Sequence, residues 1–114
     1  MISTTIERKE LLKTTLANSH VTAADVREVT LAPGQKTGRH VHPCTVLGYI
    51  LEGTALLQIE GGAVETLHAG SAFHEPAGAV IAAFSNASLD RPLRFVAFYL
   101  LDGRQDLIVL IGDS

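Results

Sequence analysis

A single cysteine stands among the 114 residues, so no internal disulfide can form, and the chain suits a reducing cytoplasm. Long apolar runs are missing too. Runs such as residues 79–84 and 107–111 fall far short of the ~20 residues a membrane-spanning helix needs. The opening Met1-Ile2-Ser3-Thr4-Thr5-Ile6 has neither the charged lead nor the apolar centre of a secretory signal, so cytoplasmic placement is expected. The Asn86-Ala87-Ser88 sequon then carries no glycan. Nine Lys and Arg face twelve Asp and Glu, a net charge of −3, and the basic residues are scattered. That excludes a nucleic-acid partner and a membrane surface. Helical signal is scarce. Only residues 7–16 place Leu11, Leu12 and Leu16 on one helical face. Their threonines and the lack of a clean cap make a short edge strand an equal reading.

What is present is apolar sequence cut into short pieces. Hydrophobic residues make up 46% of the chain, and mean hydropathy is +0.25. A domain this small and this apolar is expected to bury surface against a second copy, as a homodimer. Strand signals run over residues 26–31, 37–42, 47–52, 54–60, 63–68, 71–75, 80–84, 93–101 and 106–111, separated by glycine, proline and aspartate turns. Gly61-Gly62 suits a two-residue hairpin turn. The terminal strand 106–111 is expected to pair with or pack on the partner, since an apolar edge left open invites aggregation. No linker, repeat or low-complexity tract interrupts residues 1–114. The pattern is that of one all-β domain, a sandwich or barrel.

Chemistry concentrates at His40-Val41-His42. Residues two apart on a strand share a face. Two imidazoles so placed can turn onto one first-row metal ion at about 2.0–2.1 Å each.

The spacing around that pair resembles the cupin superfamily. Its first motif is a glycine, five residues, His-x-His, three or four residues, a glutamate, six residues and a glycine. Gly34, His40, His42 and Gly53 hold that register, while the glutamate falls on Val46, or on Leu47 with the longer spacer. The second motif is matched by Gly70, Pro76 and Gly78, with Ile81 at the histidine position and Asn86 near the asparagine. Residues 47–53 are also similar to small bacterial single-domain cupins. The resemblance implies an RmlC-like jelly roll, a double-stranded β-helix. Its motif core is about residues 33–86, flanked by an N-terminal segment 1–24 and the C-terminal strand 106–111. It also implies a barrel pocket for a small-molecule ligand, lined by Val46, Tyr49 and Ile81. Intact cupins carry a divalent metal (iron, manganese, nickel or zinc) on four mixed ligands; here two of the four positions are apolar.

Three residues can stand in for the missing ligands. His74 and Glu75 adjoin Pro76, and only one of them can enter the barrel from a regular strand. His74 inside gives a three-histidine site; Glu75 inside, hydrogen-bonded to Tyr49, gives a carboxylate that also serves as a base. Cys44, two residues past His42, offers a thiolate unless Pro43 turns it away. Two functions follow as expectations. One is a barrel that binds a small molecule with weak or no metal, Val46 and Ile81 having made the pocket apolar. The other is a metal-dependent enzyme, dioxygenase- or isomerase-like, using His40, His42 and a non-standard third ligand.

Overall fold

The computed structural model describes residues 5–16 and 19–112. Nine strands form two antiparallel sheets packed face to face. They are β1 (Ala23–Leu31), β2 (His40–Val41), β3 (Thr45–Glu52), β4 (Thr54–Ile59), β5 (Glu65–His68), β6 (Ala72–Glu75), β7 (Val80–Asn86), β8 (Leu93–Leu101) and β9 (Val109–Leu110). One sheet runs β1-β8-β3-β6, the other β5-β4-β7-β2-β9. The chain passes from the first sheet to the second at Gly53. Its φ of +90° and the Pro92 carbonyl, 2.7 Å from where a Cβ would sit, both require glycine there.

Alternating positions turn inward and meet in one core containing Ile50, Leu57, Ile81, Leu93, Phe73, Phe84 and Phe95. The three phenylalanine rings pack with centroids 4.9–5.8 Å apart. The Phe73 ring lies where a Cβ on Gly48 would be, 2.0 Å from that point. Glycine on an otherwise apolar strand thus makes room for an aromatic ring on its neighbour. Asn86, near the asparagine position of the second motif, is buried and structural. Its amide donates to the carbonyls of Ala32 and Arg91 at 3.2 and 2.7 Å, and its oxygen accepts from Ser88 N. These bonds tie the end of β1 to the loop before β8.

Several element boundaries differ from expectation for local reasons. Residues 7–16 form neither helix nor strand. The strand expected over 37–42 shrinks to two residues, because Gly38 adopts a φ of +83°. The strand expected over 106–111 reduces to β9, and it pairs within the chain, against β2. Gly61-Gly62 does not make a two-residue hairpin. The last β4–β5 pair is Leu57 with Glu65, while β4 runs on to Ile59, which pairs with Ile81 on β7, so the two strands are joined by a five-residue loop over 60–64. Among the described residues no helix is long and apolar enough to cross a membrane.

Candidate metal centre

His40 enters the interior from β2, and its cross-strand neighbour is Ile81 of β7. Just past that strand, His42 turns to the same side. Glu75 enters from the last position of β6, directly opposite Val46 of β3. All three side chains are buried, and one ligand atom from each lies within 4.8 Å of the others. His42 Nε2 stands 2.6 Å from Glu75 Oε2 and His40 Nε2 3.7 Å from it. The two imidazole rings meet edge to face, 4.8 Å between centroids.

The backbone fixes which nitrogen each ring presents. His40 Nδ1 is 2.7 Å from the Gly38 carbonyl, and His42 Nδ1 is 2.6 Å from the Leu107 carbonyl. A carbonyl only accepts, so each Nδ1 carries the proton and each neutral ring turns an Nε2 lone pair inward. Those lone pairs confront a carboxylate oxygen that also only accepts. Despite the short distance the groups are not aligned for a hydrogen bond, and Glu75 Oε2 has no hydrogen-bond partner among the described residues. A buried, unpartnered carboxylate oxygen facing two imidazole lone pairs calls for a cation among them. It is the donor set expected of a two-histidine, one-carboxylate metal centre, with both histidines oriented by carbonyl acceptors behind them.

Without metal, a proton must fill that role, and the electrostatics reflect it. Burial by itself would lower the His42 pKa. The Glu75 carboxylate and the Leu107 carbonyl outweigh it and hold the group above its ordinary 6.5. Burial would likewise raise Glu75, but His40 and His42 outweigh it and keep the carboxyl below its ordinary 4.5. The linkage has a definite sign. The His42 contribution to stability is complete below 6.5 and is lost as pH rises through its raised value. The Glu75 contribution is complete above 4.5 and is lost as pH falls through its lowered value. Metal-free protein should therefore be most stable between these limits and melt lower as pH rises beyond them. Metal-loaded protein should show the opposite trend, since deprotonation frees the ligands. Melting curves across pH with and without a chelator measure both slopes.

Above the triad is a cavity of about 100 Å³, lined mainly by Val29, Val46, Phe73, Phe84, Phe95, Ala97 and Ile108. Its polar groups besides the triad are Thr37 and Tyr99. The Tyr99 ring lies 5.9 Å from that of His42. Burial and the Glu75 charge push the Tyr99 phenol pKa up, so it stays a hydrogen-bond donor.

The residues singled out from sequence divide clearly. Among the described residues the histidine pair is joined by Glu75 alone. His74 faces the outside of its sheet, opposite Leu47, with Nδ1 3.4 Å from Thr14 Oγ1. Cys44 is buried in the hydrophobic core, outside the ligand group, and borders a separate cleft with Ser19, His20 and Ala77. Burial also raises its pKa and keeps it a thiol. Val46 does line the cavity. Ile81 is buried in the core but is not part of the cavity wall. Tyr49 sits three positions after Val46, hence on the opposite face of β3, and borders an outer groove with Ala72 and Phe98. The expected Glu75–Tyr49 hydrogen bond is therefore not formed. Tyr99, Thr37 and the Leu107 carbonyl were not singled out beforehand. Tyr99 belonged to an aromatic-rich run with nothing to mark it, and a backbone acceptor leaves no trace in side-chain pattern.

The cupin domain family model matches residues 27–99. The chain belongs to that family. No curated protein matches this cupin. Among solved structures it resembles the DMSP lyase DddQ from Ruegeria pomeroyi, at 24% identity, TM-score 0.66, over 76% of this chain and 42% of that one. A cupin-like protein from Thermotoga maritima is 22% identical, TM-score 0.64, over 78% and 65%. An oxalate oxidase is 23% identical, TM-score 0.66, over 77% and 46%. At these identities the likeness establishes the fold. The cupin spans less than half the length of the lyase and the oxidase.

Proposed function

We propose that this cupin holds one divalent first-row metal ion on His40, His42 and Glu75 and binds a small oxygen-bearing molecule in the cavity beside it. The observation that carries the reading is the unpartnered Oε2 of Glu75, buried against two imidazoles whose Nδ1 atoms are already committed. Two nitrogens and a carboxylate suit iron(II), manganese, nickel or zinc. Such an ion, when bound, acts as a Lewis acid toward substrate oxygens.

The protein's own part is orientation and exclusion of water. The cavity is far below the ~300–1,000 Å³ of drug-sized pockets, so the ligand has few carbons. Thr37 and Tyr99 are its polar contacts, and the aromatic and aliphatic wall takes its apolar end. The wall has no Lys or Arg, so an anion has no cationic side chain to meet there. A divalent ion with one carboxylate leaves a single net positive charge in a low-dielectric pocket. A monoanion cancels that charge and a dianion overshoots it.

Metal analysis of the purified protein, followed by calorimetric titration, tests the reading. We expect one equivalent per chain in the wild type, lost on dialysis from His40→Ala and from His42→Ala. A small monoanionic 2-hydroxy acid should bind the loaded protein more tightly than a dicarboxylate of similar size. Wild-type protein that takes up no metal, or histidine variants that keep the full wild-type content, would sink the proposal.

A further inference from the structure

The cavity beside the metal centre lies between the two sheets, with Val46 and Tyr99 on one side and His40 and Phe84 on the other. Among the twelve residues that line it, Ile108 alone is exposed, at 43%. Ile108 therefore marks the mouth, with one side on the cavity and the other in solvent. It belongs to the segment that carries the chain from the end of β8 in the first sheet to β9 at the margin of the second. Glycines with positive φ bracket that segment, Gly103 at +63° and Gly112 at +66°. The segment is lightly held. β9 is a two-residue edge strand on β2, itself only two residues long. Val109 and Leu110 stay 40% and 68% exposed, so docking them buries little apolar surface. Three hydrogen bonds add to the ladder. Gln105 Nε2 donates to the Pro43 carbonyl at 3.3 Å, Ile111 N to the Arg39 carbonyl at 3.1 Å, and the Arg39 guanidinium to the Gly112 carbonyl at 3.2 Å. Water can replace each of these ties when the segment lifts. The root is fixed separately, by Gly103 N on Thr22 Oγ1 at 2.7 Å. Segments with little buried apolar surface open ahead of the rest of a fold.

We infer that residues 103–112 form a gate over the metal centre, with Ile108 as its plug and the Leu107 carbonyl as its latch on His42. The latch is the one tie that points inward, 2.6 Å from His42 Nδ1. Open, the segment admits metal and ligand and leaves the His42 ring free to turn. Closed, it fixes which nitrogen His42 presents and shuts out water. Plug and latch are adjacent residues, so enclosing a ligand and orienting His42 are one event. Ile108 thereby sets the size of ligand the site can enclose. A longer molecule props the plug outward and breaks the latch with it. The purpose of the gate rests on the proposed metal site, but its opening is measurable without metal.

Diethyl pyrocarbonate, which acylates the unprotonated ring nitrogen of histidine, probes the metal-free protein, with peptide mass spectrometry as the readout. The exposed His20 and His68 should react freely and alike in every variant. In the wild type His40 and His42 should react slowly, at the rate the gate opens. Ile108→Ala takes three carbons from a half-exposed plug, which should raise that rate about tenfold. Ile108→Trp enlarges the plug and should slow both histidines below the wild type, an effect that general loosening of the fold does not produce. Arg39→Ala unties Gly112 and should quicken both histidines with the plug intact. In zinc-loaded protein, Ile108→Ala should speed loading and removal by a chelator by similar factors and leave Kd nearly unchanged, because a gate lowers the barrier in both directions. Should Ile108→Trp fail to fold, the other two variants still decide. Unchanged His40 and His42 rates in Ile108→Ala and Arg39→Ala overturn the gate, as does a folded Ile108→Trp that reacts as fast as Ile108→Ala. A wild type that takes up no zinc sinks the metal site and not the gate, which the histidine rates then decide.

Discussion

Glu75→Gln should leave the barrel folded and strip it of its metal. Glutamine keeps the shape of the side chain and removes its charge, so packing around β6 is preserved. The third donor becomes a neutral amide oxygen beside two imidazoles. Losing even a residue that merely supports a ligand costs about 10–100-fold in affinity, so losing the only anionic ligand should cost at least the upper end of that range. The consequence for stability is measurable. At a metal concentration of about 100 Kd the wild type gains ~2.7 kcal/mol by mass action. For a domain of this size that is a rise of roughly 10 °C in Tm. The variant at the same metal concentration should show almost none. Removing the carboxylate also removes the larger of the two influences that hold His42 above its ordinary pKa, leaving the Leu107 carbonyl, so the metal-free variant should lose much of its pH dependence near neutrality. Metal content and a metal-dependent Tm that match the wild type would exclude Glu75 as a ligand.

What the sequence discloses here is set by which physical constraints act locally. Gly34, Gly53, Gly70 and Gly78 all take positive φ, and such constraints appear directly as residue identity. The inward pair His40 and His42 is legible for a similar reason, since it depends only on local chain geometry. Strand periodicity also limits the adjacent His74 and Glu75 to a single inward member, but not which one. That depends on the pairing of Val46 with Glu75 and Leu47 with His74, a register between strands far apart in sequence. Tyr49 shows the same limit: its place outside follows at once from Val46 being inside. Cys44 sits at the right interval but beyond Pro43, and it packs in the core outside the ligand group. The second support of the centre, the Leu107 carbonyl on His42, joins residues 65 apart in sequence. It comes from a backbone atom any residue could supply.

The pairing of Val46 with Glu75 suggests what this cupin has done with its carboxylate. The family pattern puts a glutamate at Val46 on β3; here the carboxylate comes from the facing position on β6, one rung across the same ladder. Side chains directly opposite on an antiparallel ladder have Cβ atoms about 4.5–5.5 Å apart, so a glutamate at either end of that rung can reach the same ligand point. Exchanging the two residues tests this. Val46→Glu alone adds a second carboxylate beside Glu75 in a buried site. The metal-free protein should then melt lower, because two like charges there cannot both ionise freely. Glu75→Val alone leaves two imidazoles and should lose metal affinity about 100-fold or more. The combined exchange restores one carboxylate and two histidines, and its affinity should return to within roughly tenfold of wild type. With the affinity of Val46→Glu alone unchanged from wild type, a recovery of that size is a coupling of at least ~1.4 kcal/mol between the positions, above the ~0.5 kcal/mol scatter of independent sites. Titration of all four proteins with zinc or manganese, beside their melting curves, gives the cycle. If the exchanged protein folds yet binds metal no better than Glu75→Val, a carboxylate on β3 cannot reach the histidines. The ligand at Glu75 would then be a separate arrangement and not the family's carboxylate moved across one rung.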